Sequence, residues 1–301
     1  MSSERPTVRP VTLARLVEVA YVCEDEAEST SSIETRLDVT HRRARETILE
    51  ALRIGLLEEI SDGGDDEFWY VTADAGESFL EVIRNERWQE VSSFLKTNSP
   101  HYATFLDVLV DSEPVAPTEL LEEIETREVD SPYEYNQTSI EVVGDWAERL
   151  GAIQRNAFTG VYYTVRCRSV PENFPEVLLS TFDELEETAG VNLRQRYLSI
   201  PELREHTCQR LQCPRAVFDD ALVSLAQENV GKLELSGAPL DTGAKDAKLG
   251  IKEIALDEEG GLISTTHSTE RVMAGVEQFD KQYYYLAVHD RDLTFTKETS
   301  Q

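Results

Sequence analysis

Hydrophobic residues recur at helical spacing through the first sixty positions of the chain. They predict one helix over residues 11–25 and another that begins after Thr40, with these inward-facing positions: Leu13, Leu16, Val17 and Ala20, then Ala44, Ile48 and Leu52. Between them, Ser31 and Glu34 have the spacing of a capping box, which predicts a short intervening helix. Gly55 is expected to end the third helix, because glycine tolerates the left-handed conformation that follows many helices.

The pattern then changes to two strands. The segment LLEEISDGGDDEFWYVT has two β-prone runs on either side of an Asp-Gly-Gly turn. Three helices followed by a hairpin make a winged helix-turn-helix. The turn of this hairpin, Asp62–Glu67, is strongly acidic and so is not expected to bind the phosphates of DNA.

The same order of elements returns twice. A second pass begins near Pro100 with a capping box at Thr138 and Glu141 and a helix that ends at Gly151. A third pass has a capping box at Ser199 and Glu202, and its predicted return strand is 282–288. The sequence therefore predicts an α+β protein of three tandem winged-helix domains, at residues 1–98, 99–170 and 171–301. The last domain carries a β insertion at 237–281.

An apolar stripe also runs between the first two passes, over residues 73–97. It contains Phe79, Leu80, Ile83, Trp88, Val91 and Leu95. A helix with this stripe would pair with its copy in a homodimer, or it would pack on its own domain. The sequence leaves both alternatives open.

Charge sets this chain apart from most nucleic-acid-binding proteins. It has 58 acidic residues against 29 Lys and Arg, a net charge of -29, and arginine outnumbers lysine 22 to 7. This acidity resembles the proteins of salt-loving archaea, whose cytoplasm is concentrated in KCl. In about 1 M salt the Debye length is only ~3 Å, so distant acids are screened and groups at contact range dominate.

The end of the first pass resembles archaeal winged-helix transcription regulators. Tyr70, Thr72, Gly76, Phe79 and Leu80 match a recurring sequence that joins the wing to the last helix of such regulators. This chain departs from it by one extra residue between Thr72 and Gly76. The resemblance covers about a third of the chain and implies a DNA-binding winged helix.

One stretch reverses the acidic balance. Residues 36–53 hold five arginines against three acids, and four basic side chains cluster at the predicted start of the third helix: His41, Arg42, Arg43 and Arg45. In winged helices this helix enters the major groove, and the planar fork of arginine can bind guanine O6 and N7 together. The alternative is a structural role, because Arg42 lies four residues before Glu46 and such pairs stabilise helices.

Weaker candidates for DNA or phosphate contact lie in the later passes. In the second, Asn136 and Gln137 precede the third helix and are suited to adenine, although they are also typical capping residues. In the third, the helix offers only Arg215. The insertion contains three of the seven lysines, Lys245, Lys248 and Lys252.

Enzymatic and membrane functions find little support. GxxxxGK[ST], GxGxxG, HExxH and GxSxG do not occur, so no catalytic function and no cofactor are expected. His206, Cys208 and Cys213 lack a fourth ligand and a paired C-x-x-C, so no metal is expected. Neither a signal peptide nor a membrane span is predicted, which favours the cytoplasm.

Two functional hypotheses follow from these patterns. The first is a transcription regulator that binds double-stranded DNA through the third helix of its first domain. The second is a non-catalytic adaptor of a DNA-processing or defence complex, whose second and third domains bind proteins.

The charge generates a stability prediction. We expect cooperative loss of structure as KCl falls from molar levels to about 0.1 M, because the Debye length grows to ~10 Å and the acidic surface repels itself. Circular dichroism melts at both concentrations measure this. Equal midpoints would contradict the halophilic interpretation.

Overall fold

The computed structural model describes residues 6–61, 68–128, 131–188, 197–237 and 272–296. The fold mixes helix and sheet, which confirms the α+β class. The chain forms two compact units, whose described residues lie within 6–153 (unit 1) and 154–296 (unit 2). This boundary does not coincide with those expected from the sequence, and the three-domain interpretation stays a prediction.

Unit 1 begins with three helices and a three-stranded antiparallel sheet. The strands have the order β1-β3-β2, with Glu28 opposite Tyr70 and Leu57 opposite Thr72. The connection between β2 and β3, including Asp62–Glu67, lies outside the described residues. In chain order the elements are α1 (Leu13–Val22), β1 (Glu28–Ser29), α2 (Thr30–Arg36), α3 (His41–Arg53), β2 (Leu57–Ser61) and β3 (Phe68–Thr72).

These helices follow the hydrophobic pattern with two corrections. The buried face of α3 includes Ala44, Ile48 and Ala51, whereas Leu52 is only half-buried. Helix α2 is capped by Ser29, whose hydroxyl accepts from the Ser32 amide, and not by Ser31. The first amides of a helix have no acceptor within the helix. Because α2 begins at Thr30, two residues earlier than predicted, the hydroxyl of Ser29 supplies this acceptor.

The segment after β3 is two helices rather than one. Helix α4 (Asp74–Arg84) and helix α5 (Trp88–Asn98) are separated by a break at which Glu86 has a φ of 52°. The prediction of one continuous helix over 73–97 is therefore wrong. Its apolar stripe packs inside unit 1, with Phe79, Leu80, Ile83, Val91 and Leu95 buried. The stripe thus gives no support to a homodimer, which stays a prediction.

The residues that resemble archaeal regulators join β3 to α1 and α4. The Thr72 hydroxyl donates to the Ala20 carbonyl at 2.6 Å, and the Ala73 amide donates to the Leu56 carbonyl at 3.0 Å. A Cβ on Gly76 would lie 2.2 Å from that same Leu56 oxygen, so only glycine permits this approach.

The rest of unit 1 is helical. Helices α6 (Pro100–Ser112), α7 (Pro117–Arg127) and α8 (Gln137–Arg149) match the predicted helices of the second pass. Helix α8 is capped by Asn136, whose side chain accepts from the Ser139 amide at 2.9 Å, so the capping box predicted at Thr138 is wrong. Gly55 and Gly151 both have positive φ after their helices, as predicted.

A buried charged network connects α3 to α6 and to the N-terminal segment. The Glu50 side chain is fully buried, and its carboxylate accepts from Arg53 and from the Arg9 backbone amide. Arg53 also donates to His101 Nδ1 at 3.1 Å. Since arginine is only a donor, Nε2 carries the ring proton and donates to the Pro6 carbonyl at 2.9 Å.

Unit 2 contains the remaining helices and a four-stranded sheet. Strand β9 lies between β6 and β7, and β8 pairs with its first residues, so the predicted return strand is confirmed and one extra strand is found. The predicted start of α10 after Ser199 is also confirmed, but the Ser199 side chain makes no capping hydrogen bond, so the capping box predicted there is wrong. The elements are β4 (Ile153–Arg155, begun by the last residue of unit 1), β5 (Tyr162–Thr164), α9 (Phe174–Thr188), β6 (Leu198–Ser199), α10 (Ile200–Leu211), α11 (Arg215–Glu228), β7 (Leu233–Gly237), β8 (Val276–Gln278) and β9 (Lys281–Val288).

A second buried network holds unit 2 together. Arg215 donates to both oxygens of the buried Glu205, at 2.5 and 2.8 Å, and to the Arg155 carbonyl at 2.7 Å. Glu205 also accepts from the Ala157 amide at 2.9 Å. The pair therefore fastens the β4–β5 hairpin to α10 and α11.

The environment of His101 generates a prediction about pH. Burial, aided by Arg53, lowers the His101 pKa below its ordinary value of 6.5, so the folded chain holds the ring neutral. The unfolded chain takes up a proton below about pH 6.5, and acidification therefore destabilises unit 1.

The substitution His101→Asn should reduce this dependence, by at most about 1.4 kcal/mol per pH unit. Asparagine retains an acceptor for Arg53 but has no group that titrates. Urea unfolding of both proteins in molar KCl at pH 7.5 and 5.5 measures the difference. Parallel losses of stability in the two proteins would contradict the assignment.

Candidate nucleic-acid interface

The four basic residues predicted as a DNA contact lie together on the first turns of α3. His41, Arg42, Arg43 and Arg45 are all exposed. Thr40 occupies the N-cap position, as predicted, but its side chain makes no capping hydrogen bond. The structure therefore brings these four side chains to one helix end, at the surface of unit 1.

Their directions around the helix differ. The buried residues of α3 are Ala44, Thr47, Ile48, Glu50 and Ala51, and the first three define the buried face of its N-terminal half. With 3.6 residues per turn, Arg42 and Glu46 lie opposite this face, and Arg43 and Arg45 lie on the two flanks. The exposed surface therefore has a central row with one arginine and one glutamate, bordered on each side by an arginine.

The four side chains also differ in their partners. His41 Nδ1 lies 3.1 Å from Glu34 Oε2, and Arg42 Nε donates to Glu46 Oε1 at 3.1 Å. Within the described ranges, the guanidinium groups of Arg43 and Arg45 make no hydrogen bond or ion pair. Two of the four cations are thus available for an external anion without breaking a bond to any residue that the structure describes.

Other arginines of this region are engaged in ion pairs. Arg36 pairs with Glu28, Arg15 lies 2.6 Å from Glu18, and Arg53 pairs with buried Glu50. The start of α3 is therefore distinct, because two of its arginines, Arg43 and Arg45, form no ion pair with a described residue. Cations at a helix N-terminus are mildly unfavourable against the helix dipole, so stability alone does not explain their position.

The positive charge of Arg45 affects the pKa of one buried tyrosine. Burial raises the pKa of Tyr70 on β3, and the positive charge of Arg45 opposes part of that rise. The charge of Arg45 therefore acts on Tyr70 of β3.

The candidates in the second pass are engaged locally. The Asn136 side chain caps α8, and Gln137 Nε2 donates to Glu141 Oε1 at 3.1 Å. Capping was the alternative that the sequence left open for these residues. No cation accompanies them at the start of α8, so this helix lacks the charge found on α3.

The third pass offers still less. Arg215 is buried in its bidentate pair with Glu205, so it is not available at the start of α11. The three insertion lysines, Lys245, Lys248 and Lys252, lie outside the described residues. Among the structural elements that are described, the cation cluster on α3 has no counterpart on α8 or α11.

A groove beside α11 was not predicted from the sequence. Its volume is about 1110 Å³, and Arg204 and Asp219 in its lining bind each other at 2.8 Å. Burial raises the pKa of Asp219, whereas Arg204 opposes the rise. No sequence motif marks this groove, because its lining comes from segments far apart in the chain.

In the described ranges, no group of three or more His, Cys, Asp or Glu side chains is placed to hold a metal ion. Three of the four cysteines are buried and none forms a disulfide; burial raises the pKa of Cys208, which lies against Cys213. No helix of the described chain has both the length and the apolar character needed to cross a bilayer.

No model of a known protein family matches the chain, and no curated protein matches it. Geometry and charge therefore carry the functional assignment.

Proposed function

We propose that the protein is a transcription regulator that binds duplex DNA through α3 of unit 1. The observation that carries this proposal is the exposed cluster of His41, Arg42, Arg43 and Arg45 on the first turns of that helix. Two of its arginines have no internal partner in the described chain, which leaves them available to an anionic ligand.

The topology around α3 supports the proposal. The order α1-β1-α2-α3-β2-β3, with the sheet order β1-β3-β2, resembles the arrangement expected of a winged helix-turn-helix. In such domains the third helix lies in the major groove and its N-terminal residues reach the base edges. The cluster is at the end of α3 that this arrangement requires.

Electrostatics decide how such an acidic protein approaches DNA. A net charge of -29 opposes association at low salt, where repulsion acts over long distances. In molar KCl the Debye length of ~3 Å removes most of that repulsion and leaves contacts at hydrogen-bond distance. Binding would therefore depend on a few arginine contacts rather than on a broad basic surface.

This proposal predicts a loss of specific affinity in Arg42→Ala/Arg45→Ala. The loss of one bidentate base contact costs about 1–3 kcal/mol, and the second substitution removes a further contact to the DNA, so the double variant should bind its selected sequence more than tenfold more weakly. The fold should persist, because both side chains are exposed and alanine is the best helix former. Titrations in molar KCl, on duplexes that the wild type selects from a random pool, measure the change.

The matched control is Arg84→Ala/Arg87→Ala. It removes two half-exposed arginines from unit 1 outside α3, whose surface ion pairs should contribute little. It should retain the wild-type affinity. If the α3 variant binds as tightly as this control, α3 is not the DNA-contacting helix.

A second candidate function is that of a protein-binding adaptor, favoured by one feature of unit 2. The hairpin between β8 and β9 turns at Phe279 and Asp280, whose φ angles are 52° and 56°. Two positive φ values define a type I′ turn, for which Asn and Gly are the usual residues. Phe279 is also 77% exposed, so packing within the protein does not explain why an aromatic residue occupies the tip of this hairpin.

Such a ring would enter an apolar pocket of a partner protein. The exposed acids Glu277 and Asp280 beside it favour a pocket with a basic rim and disfavour nucleic acid. Aromatic anchors of this kind dominate the energy of many interfaces. In this candidate function, unit 2 would connect the protein to another subunit of a DNA-processing or defence complex.

Phe279→Asn should stabilise the protein by about 1 kcal/mol, because asparagine tolerates the left-handed conformation that costs other residues about 1–2 kcal/mol. Urea unfolding in molar KCl measures this. Phe279→Leu retains both the strain and the apolar character, so it should match the wild type. A destabilised Phe279→Asn would show that the ring packs within the chain and would remove the adaptor argument.

A further inference from the structure

We infer that Arg42 and Glu46 act as one unit that reads a G·C base pair, while Arg43 and Arg45 contact the phosphates of the two strands. This inference rests on the proposed DNA binding and adds the recognised base pair to it. It also assigns a role in recognition to Glu46, an acidic residue on the outward face of α3.

The geometry of the pair leaves the reading edge of arginine open. Arg42 donates through Nε to Glu46 Oε1, so both terminal amino groups remain for an external acceptor. The Arg42 side chain is 86% exposed, whereas Glu46 is 22% exposed. Glu46 therefore acts as a positioning residue that limits the rotation of an otherwise mobile arginine.

The chemistry of the pair matches one base pair. Guanine presents O6 and N7 as acceptors in the major groove, and its cytosine partner presents the N4 amino group as a donor. The two amino groups of Arg42 fit the guanine edge. Glu46 Oε2 accepts no hydrogen bond from the described residues, so it remains available to cytosine N4.

Position on the helix separates this pair from the flanking arginines. A helix in the major groove directs the middle of its outer face to the bases and its flanks to the two backbones. Arg42 and Glu46 occupy the middle, and Arg43 and Arg45 occupy opposite flanks. A carboxylate beside phosphates would weaken binding, whereas at the base edges it meets a donor.

The test is the base preference of Glu46→Gln. Wild type and variant each select duplexes from a random pool in molar KCl, and titrations then compare the wild-type site with the same site carrying A·T at its preferred G·C position. The variant should lose at least about fivefold of the discrimination between these duplexes. Arg42→Lys, which keeps the charge but not the planar fork, should lose a similar factor.

The matched control is Glu81→Gln, which makes the same charge change on the exposed side of α4. It should retain the full preference, and thermal melts should show all variants folded. A double Arg42→Lys/Glu46→Gln protein should lose no more discrimination than the worse single variant, because the two side chains act together.

Other outcomes overturn the inference in distinguishable ways. If Glu46→Gln binds every duplex more tightly by one common factor and keeps its preference, Glu46 only repels phosphate. If the wild type selects no sequence at all, the proposed DNA binding fails, and the role of Glu46 fails with it.

Discussion

The burial of Glu50 is the constraint on which the arrangement of α3 depends. A carboxylate without solvent must be paired, and this one is held by Arg53 on the same helix and by the Arg9 amide. Arg53 in turn donates to His101 on α6. Removing one partner of such a buried pair typically costs about 3–5 kcal/mol. The C-terminal half of α3 is therefore fixed in the core, whereas the four basic side chains on its first turns are exposed.

Unit 2 uses the same physical solution. Glu205 is fully buried and receives two hydrogen bonds from Arg215, which also donates to the Arg155 carbonyl. Arginine suits this task because its planar fork satisfies both carboxylate oxygens, which the single ammonium of lysine does not. The preference for arginine over lysine in the sequence thus has a structural component in both units, beside its part in the candidate interface.

Helix α3 has one part that packs in the core and another part whose charges are exposed to solvent. Buried Thr47 and Glu50 belong to the part of α3 that packs, whereas Arg43 and Arg45 carry charge that no described residue neutralises. In the proposed function, the acidic surface elsewhere leaves these few cations as the points of attraction for DNA. In the proposed function, specificity comes from short-range contacts, because long-range attraction is screened.

The sequence by itself determined most helices, two of the three strands of the first sheet, and the exposure of the arginines after Thr40, because these depend on local spacing and on glycine conformations at Gly55 and Gly151. It did not determine the caps at Ser29 and Asn136 or the break at Glu86, since competing local hydrogen bonds have nearly equal energies. Only the tertiary structure decided that the stripe over 73–97 packs within unit 1 and that Arg215 is buried by Glu205. Burial and ion pairing depend on residues far apart in the chain, and a linear pattern carries no information about which of them will meet.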